Sequence, residues 1–100
     1  LPILFLVADI YRALDDETRR LILDELAARD GQTLFEICTV LLTRHQRTST
    51  RQAVSQHLAV LEDAGLVVTE RRGRSKFHHF DRSPLAEIAR RWPTPAEDDP

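Results

Sequence analysis

Thr50-Arg51-Gln52-Ala53-Val54-Ser55-Gln56-His57-Leu58-Ala59-Val60-Leu61-Glu62-Asp63-Ala64-Gly65-Leu66-Val67 is the most informative stretch of this chain. At about 100° per residue, Val54, Leu58 and Leu61 fall within about 60° of one another, the i, i+4, i+7 stripe of a helix with one buried face. Gln52, Ser55, Gln56 and Ala59 point the other way. That outer face offers two amides, a hydroxyl and a methyl, has no carboxylate before Glu62, and has Arg51 at its edge. Amides and hydroxyls suit base edges, and a guanidinium suits a phosphate. Gly65 then ends the helix, and a β-branched strand begins at Leu66. The stretch reads as a DNA-recognition helix with a built-in stop.

On the N-terminal side, residues 3–14 predict a first helix. Ile3, Val7, Ile10 and Leu14 form one apolar stripe, while Leu4, Phe5 and Ala8 form a second on roughly the other side. Two apolar faces imply two buried contacts, one to the domain's own core and one to something else. Asp15 and Asp16 cap a second helix, Glu17 to about Arg29, and place negative charge at its positive end. Leu21, Ile22, Leu23 and Leu26 supply its inner face. Thr33-Leu34-Phe35-Glu36 is a capping box that opens a third helix to about Thr43, with Leu34, Ile37, Val40 and Leu41 inward. Arg44 to Ser49 is a polar loop. The recognition helix then opens either on a second capping box, Ser49 with Gln52, or on Thr50 as its cap.

On the C-terminal side, Leu66 to Arg71 and Lys76 to Phe80 predict two strands around Arg72-Gly73-Arg74-Ser75, where Gly73 supplies the permissive φ of a hairpin turn. Ser83-Pro84 starts a last short helix with Leu85, Ile88, Ala89 and Trp92 on one side, and Pro93 ends it. The fold class is mainly α with a β-hairpin wing: a winged helix-turn-helix of five helices and a two-stranded hairpin. Residues 1–93 form one DNA-binding and dimerisation domain, and residues 94–100 are expected to be a disordered tail. The chain has no Met, so the start residue is expected upstream.

A domain of this size buries only roughly 65% of its unfolded surface, which favours help from a second subunit. The formal charge of −2 gives no global sign of nucleic-acid binding, but its distribution does. Residues 9–30 carry net −3 and the tail Glu97, Asp98, Asp99 another −3, whereas residues 44–57 and residues 70–82 each carry net +3. Positive charge is thus gathered on a helix-turn region and a hairpin, where a phosphate backbone needs it. The apolar opening, residues 1–8, lacks a basic flank and falls far short of the ~20 residues that span a bilayer, so no membrane partner is expected.

The single cysteine, Cys38, excludes an intrachain disulfide framework and suits a reducing cytoplasm, the expected location. Soft metals need two or more convergent thiolates or imidazoles, so Cys38 alone is an insufficient ligand set. Its default reading is a buried structural thiol, the alternative a redox-sensing or bridging one. His78 and His79 are neighbours in a strand and point to opposite faces, so they pack or meet solvent before they share an ion. For His45 a DNA contact competes with simple solvation, and for His57 with a hydrogen bond inside the domain. Phe77, Phe80 and Trp92 belong to the core or a dimer seam rather than to base stacking. No glycine-rich phosphate loop, paired-His metal motif or nucleophile elbow occurs, which argues against an enzyme and against a cofactor.

Asp16-Glu17-Thr18-Arg19-Arg20-Leu21-Ile22-Leu23, Ala53-Val54-Ser55-Gln56-His57-Leu58 with Leu61, Ala64-Gly65-Leu66-Val67, and Gly73-Arg74 before a strand together resemble the arsenic-repressor (ArsR/SmtB-type) winged-helix transcriptional regulators over about residues 8–92. The resemblance implies a homodimeric bacterial repressor that pairs through its first and last helices, with recognition helices in adjacent major grooves and wings on the flanking backbone. Two departures stand out. The loop Arg44 to Ser49 is longer than the family's tight turn. Metal-sensing members carry Glu-Leu-Cys-Val-Cys on the third helix, whereas Glu36-Ile37-Cys38-Thr39-Val40 lacks the second thiol and residues 84–92 lack His, which points to the non-metal-sensing subgroup.

The combined expectation is a sequence-specific regulator of double-stranded DNA with an inverted-repeat operator, and a homodimer needing no metal. Gln52, Ser55 and Gln56 read bases; Thr50, Arg51, Arg71, Arg72, Arg74 and Lys76 grip phosphates; Leu4, Phe5, Ala8, Leu85, Ile88 and Trp92 form the dimer interface. The alternatives are a repressor gated by metal or oxidant through Cys38, and a winged helix that binds only protein partners.

Overall fold

In the computed structural model, which describes residues 10–95, a helical segment at residues 10–14 leads into α1 (Glu17–Ala28), α2 (Leu34–His45) and α3 (Arg51–Asp63). The antiparallel hairpin β1 (Val67–Arg72) and β2 (Ser75–Phe80) follows, then α4 (Ser83–Arg91). Leu4, Phe5, Ala8 and the residues after 95 lie outside the described residues, and with them the expected first-helix seam and most of the expected tail.

Each helix start has a local cause. The Asp16 carboxylate accepts from the Arg19 amide at 3.0 Å and caps α1. Thr33 and Glu36 close the reciprocal capping box on α2, with Glu36 Oε1 taking the Thr33 amide at 2.9 Å. Of the two possible starts of α3, Thr50 is the one adopted: its hydroxyl oxygen accepts from the Ala53 amide at 3.0 Å. Gly65, at φ +77°, stops α3. Its amide bonds to the Glu62 carbonyl and that of Leu66 to the Leu61 carbonyl, both at 2.9 Å, the paired closure that a left-handed glycine permits.

Ile22, Leu26, Ile37, Leu41, Val54, Leu61 and Leu66 meet in one core drawn from all three central helices and the start of the hairpin. Burying such a side chain fully stabilises by about 1.5–3 kcal/mol. The stripes read from the sequence are therefore the faces that pack, with Leu21 and Leu34 half-buried at the margin; Val40, expected inward, is half-buried but is not part of that core. The strand register pairs Val67 with Phe80 and Arg72 with Ser75, leaving Gly73 and Arg74 as a two-residue turn with φ +61° at Gly73.

Two expectations are corrected. The loop expected at Arg44 to Ser49 is shorter, because α2 continues through Arg44 and His45. Arg44 Nη1 lies 3.5 Å and His45 Nε2 2.8 Å from the buried Glu25 carboxylate of α1, and these contacts hold the extra residues in helix. Gln46 then turns left-handed (φ 53°), and the Arg47 amide bonds back to the Leu41 carbonyl at 3.0 Å. The first strand also starts one residue later than expected, since Leu66 is taken up in closing α3.

Candidate nucleic-acid interface

The core stripe fixes which way α3 faces. With Val54, Leu58 and Leu61 buried, Gln52, Ser55, Gln56 and Ala59 are all exposed, as the periodicity requires. Thr50 and Arg51 stand at the helix N-terminus, where unpaired amides and the positive end of the dipole favour a phosphate.

The hairpin sets its cations by parity. Successive strand residues alternate between faces, and directly paired residues share one. Arg71 pairs with Lys76 on the side that buries Val67 and His78 nearer the base; Arg72 pairs with Ser75 on the other. A groove of about 460 Å³ runs between α3 and the wing, and it brings Arg51, Ser55 and Ala59 together with Arg74, Ser75 and Lys76. Glu62 borders this groove, its carboxylate accepting from the Thr69 hydroxyl at 3.4 Å.

Four of the five basic residues expected at phosphates, Arg51, Arg71, Arg74 and Lys76, form no ion pair among the described residues. Arg72 differs: it lies 3.4 Å from Glu70 and stacks on Phe77 at 4.3 Å from the ring centroid. The positive patch expected at residues 44–57 shrinks to Arg51, because Arg44 is paired with Glu25, and Arg47 with Glu17 and the Thr18 hydroxyl. Linear charge counting cannot see acids supplied by another helix.

The histidines resolve into intramolecular roles. His45 holds Glu25, and His57 Nδ1 meets Arg19 at 3.1 Å. His78 is buried against Gln32, with which it forms an isolated bridge joining the α1–α2 turn to β2. Gln32, absent from the expected site, also donates to the Glu25 and Arg29 carbonyls and closes the end of α1. Cys38 is half-buried. Burial pushes its thiol pKa up, only partly offset by the charge of Arg51, so the thiolate that metal or redox sensing needs is disfavoured.

His79 clamps the wing to the α1–α2 turn. Its Nδ1 lies 2.7 Å from Asp30 Oδ2 and its Nε2 3.2 Å from Glu70 Oε1. The hydrogen bond to Asp30, aided by Glu70 and opposed by slight burial, raises the His79 pKa above 6.5. Burial tends to raise the Asp30 pKa, but the Phe80 amide and His79 outweigh it and hold it below 3.8. The clamp therefore stabilises fully below the ordinary histidine value and is lost as pH rises through the raised one. On the acid side it is lost as pH falls through the lowered Asp30 value. Thermal unfolding of the wild type is expected to show a drop in stability, as pH rises above the ordinary histidine value of 6.5, that His79→Gln lacks; parallel profiles for the two proteins would contradict the clamp.

A helix-turn-helix domain family matches residues 8–70. The uncharacterised HTH-type transcriptional regulator YuzN of Bacillus subtilis (strain 168) is 47% identical over 83 residues, covering 83% of this chain and 90% of that protein. Among solved structures, an ArsR-like transcriptional regulator from Rhodococcus sp. RHA1 is 32% identical with a TM-score of 0.73, over 86% of this chain and 72% of that one. A possible transcriptional regulator for arsenical resistance is 28% identical with a TM-score of 0.67, over 81% of this chain and 77% of that one. No helix among the described residues is long and apolar enough to cross a membrane. The family match over most of the chain, the identity to a regulator over nearly its whole length and the shared winged fold lead to one assignment: the chain belongs to the ArsR-type winged helix-turn-helix transcriptional regulators, a family of DNA-binding proteins and not of enzymes.

Proposed function

We propose that the protein is a homodimeric repressor that binds an inverted-repeat operator in double-stranded DNA and acts in the bacterial cytoplasm without a metal. One observation carries this reading: the groove beside α3 is lined by Ser55 together with Arg51, Arg74 and Lys76, cations that form no ion pair among the described residues, and Gln52 and Gln56 stand exposed on the same helix. Cations supply affinity that is blind to sequence, and amides supply the choice of base. Thr50 and Arg71 extend the phosphate contacts, and Arg72 joins them where its stack on Phe77 leaves its outer edge to solvent.

The dimer finds support at α4. None of its residues is fully buried; Ile88 is half-buried and Trp92 is 59% exposed, with its ring 6.5 Å from that of Tyr11. Leu85 packs on the core, while the Trp92 and Tyr11 rings make an apolar surface that a second copy would cover. A two-fold pair then sets its recognition helices about one turn of DNA apart, roughly 34 Å. Gating through Cys38 draws no support, given the raised pKa of its thiol.

Gln56→Ala and Gln52→Ala test the base-reading assignment by fluorescence anisotropy on a duplex selected from a random library. Each variant is expected to lose about 1–3 kcal/mol per half-site at one base position while binding to scrambled DNA survives. Wild-type discrimination in both variants would overturn the assignment.

A further inference from the structure

Arg19 is nearly enclosed, its side chain 13% exposed, yet its guanidinium reaches two separate helices. Nε donates to the Ala13 carbonyl at 2.9 Å and Nη2 to the Arg12 carbonyl at 3.0 Å. Nη1 meets His57 Nδ1 at 3.1 Å, across 38 positions of sequence. The last carbonyls of a helix lack partners within it and carry the negative end of its dipole, so a cation belongs there. Arginine has donors only; His57 Nδ1 is therefore the acceptor, and the neutral ring carries its proton on Nε2.

The two ends of this link bear on recognition. The segment at residues 10–14 carries Tyr11, which stands beside Trp92 at the proposed dimer seam. On α3, His57 lies between the outward Gln56 and the core residue Leu58. The buried residues of α3, Val54, Leu58 and Leu61, are aliphatic, and such packing is non-directional, whereas a hydrogen bond to a ring nitrogen defines an angle.

We propose that Arg19 is a positioning residue for DNA recognition: through His57 it fixes the setting of the recognition helix relative to the dimer seam. The inference rests on the DNA-binding reading above. Without the link α3 still folds, but it visits settings in which Gln52, Ser55 and Gln56 miss their base edges. If the competent setting is populated about a tenth of the time, operator affinity falls about tenfold for each half-site. Non-specific binding, set by the cations of the groove and wing, does not fall with it.

Arg19→Lys keeps the charge but loses the fork that serves three acceptors, and His57→Leu removes the acceptor. His57→Asn places an amide oxygen near the position of Nδ1. Anisotropy titrations on operator and scrambled duplex, with sedimentation equilibrium for assembly, compare the three variants with wild type. R19K and H57L are expected to remain dimers, to bind scrambled DNA as wild type does and to lose about tenfold or more on the operator; H57N is expected to recover most of that loss. Wild-type operator affinity in R19K and H57L overturns the inference, as does an equal loss on both duplexes. Should the variants not fold, 15N NMR of the wild-type imidazole decides: a proton on Nε2 of His57 supports the link and a proton on Nδ1 overturns it. A wild type that does not distinguish operator from scrambled DNA would instead defeat the DNA-binding reading, and the NMR result still judges the Arg19–His57 bond.

Discussion

Replacing Arg51, Arg74 and Lys76 together by Ala is expected to weaken duplex binding by at least about 1,000-fold in 50 mM salt. These three cations share the groove beside α3, and none is neutralised by a carboxylate among the described residues. Each phosphate neutralised contributes about 0.9 to the slope of log K against log salt, so removing three per protomer should shallow the dimer's slope by about five. The loss should be nearly the same on operator and scrambled DNA, because phosphates carry no sequence. Arg44→Ala is the control: that guanidinium already faces Glu25, so its removal should leave the slope near that of wild type. Titrations at several salt concentrations read both effects. A wild-type slope in the triple variant, or a large change in the control, would show that the groove does not hold the phosphates.

Leu61→Ala is expected to cost about 2–5 kcal/mol of stability, the range for truncating an enclosed leucine in a core that relaxes only partly. Leu61 is fully buried, lies on the packed face of α3, and its carbonyl closes the helix end through the Leu66 amide. Set against a total stability of about 5–15 kcal/mol for a domain, that loss is large. Leu42→Ala, at a side chain 51% exposed on α2, should cost far less, about 0.5 kcal/mol. Urea unfolding at one fixed protein concentration measures both, since assembly makes apparent stability concentration-dependent. A loss below about 1 kcal/mol at Leu61 would contradict its place in the core.

The helices and their caps were legible because their causes are local. Asp16, Thr33 with Glu36, and Gly65 each act within a few residues of themselves, and the stripe Val54, Leu58, Leu61 needs only the helical period. Strand alternation likewise separates His78 from His79 without reference to any other element. What escaped was built from pairs far apart in sequence. Glu25 and Glu17 on α1 claim Arg44 and Arg47, so a patch that counts as positive along the chain is largely neutral in space. The same Glu25 draws α2 past its expected end. Asp30 with His79, Gln32 with His78, and Arg19 with His57 are each separated by more than thirty residues, and no local pattern marks any of the six. Of the expected site, Gln52, Ser55 and Gln56 are exposed on α3 as the helical period requires, while the basic residues divide into four with no ion pair among the described residues and one, Arg72, engaged by Glu70 and Phe77.

The central claim is that a two-fold pair of these chains reads DNA sequence. Selection of duplexes from a random-sequence library by the purified protein tests it most directly, because the recovered molecules report symmetry and sequence together. The expected result is a shared inverted repeat whose half-site centres lie about one helical turn apart, roughly 34 Å. Recovery of sequences with no common element, in the proportions of the starting library, would contradict it.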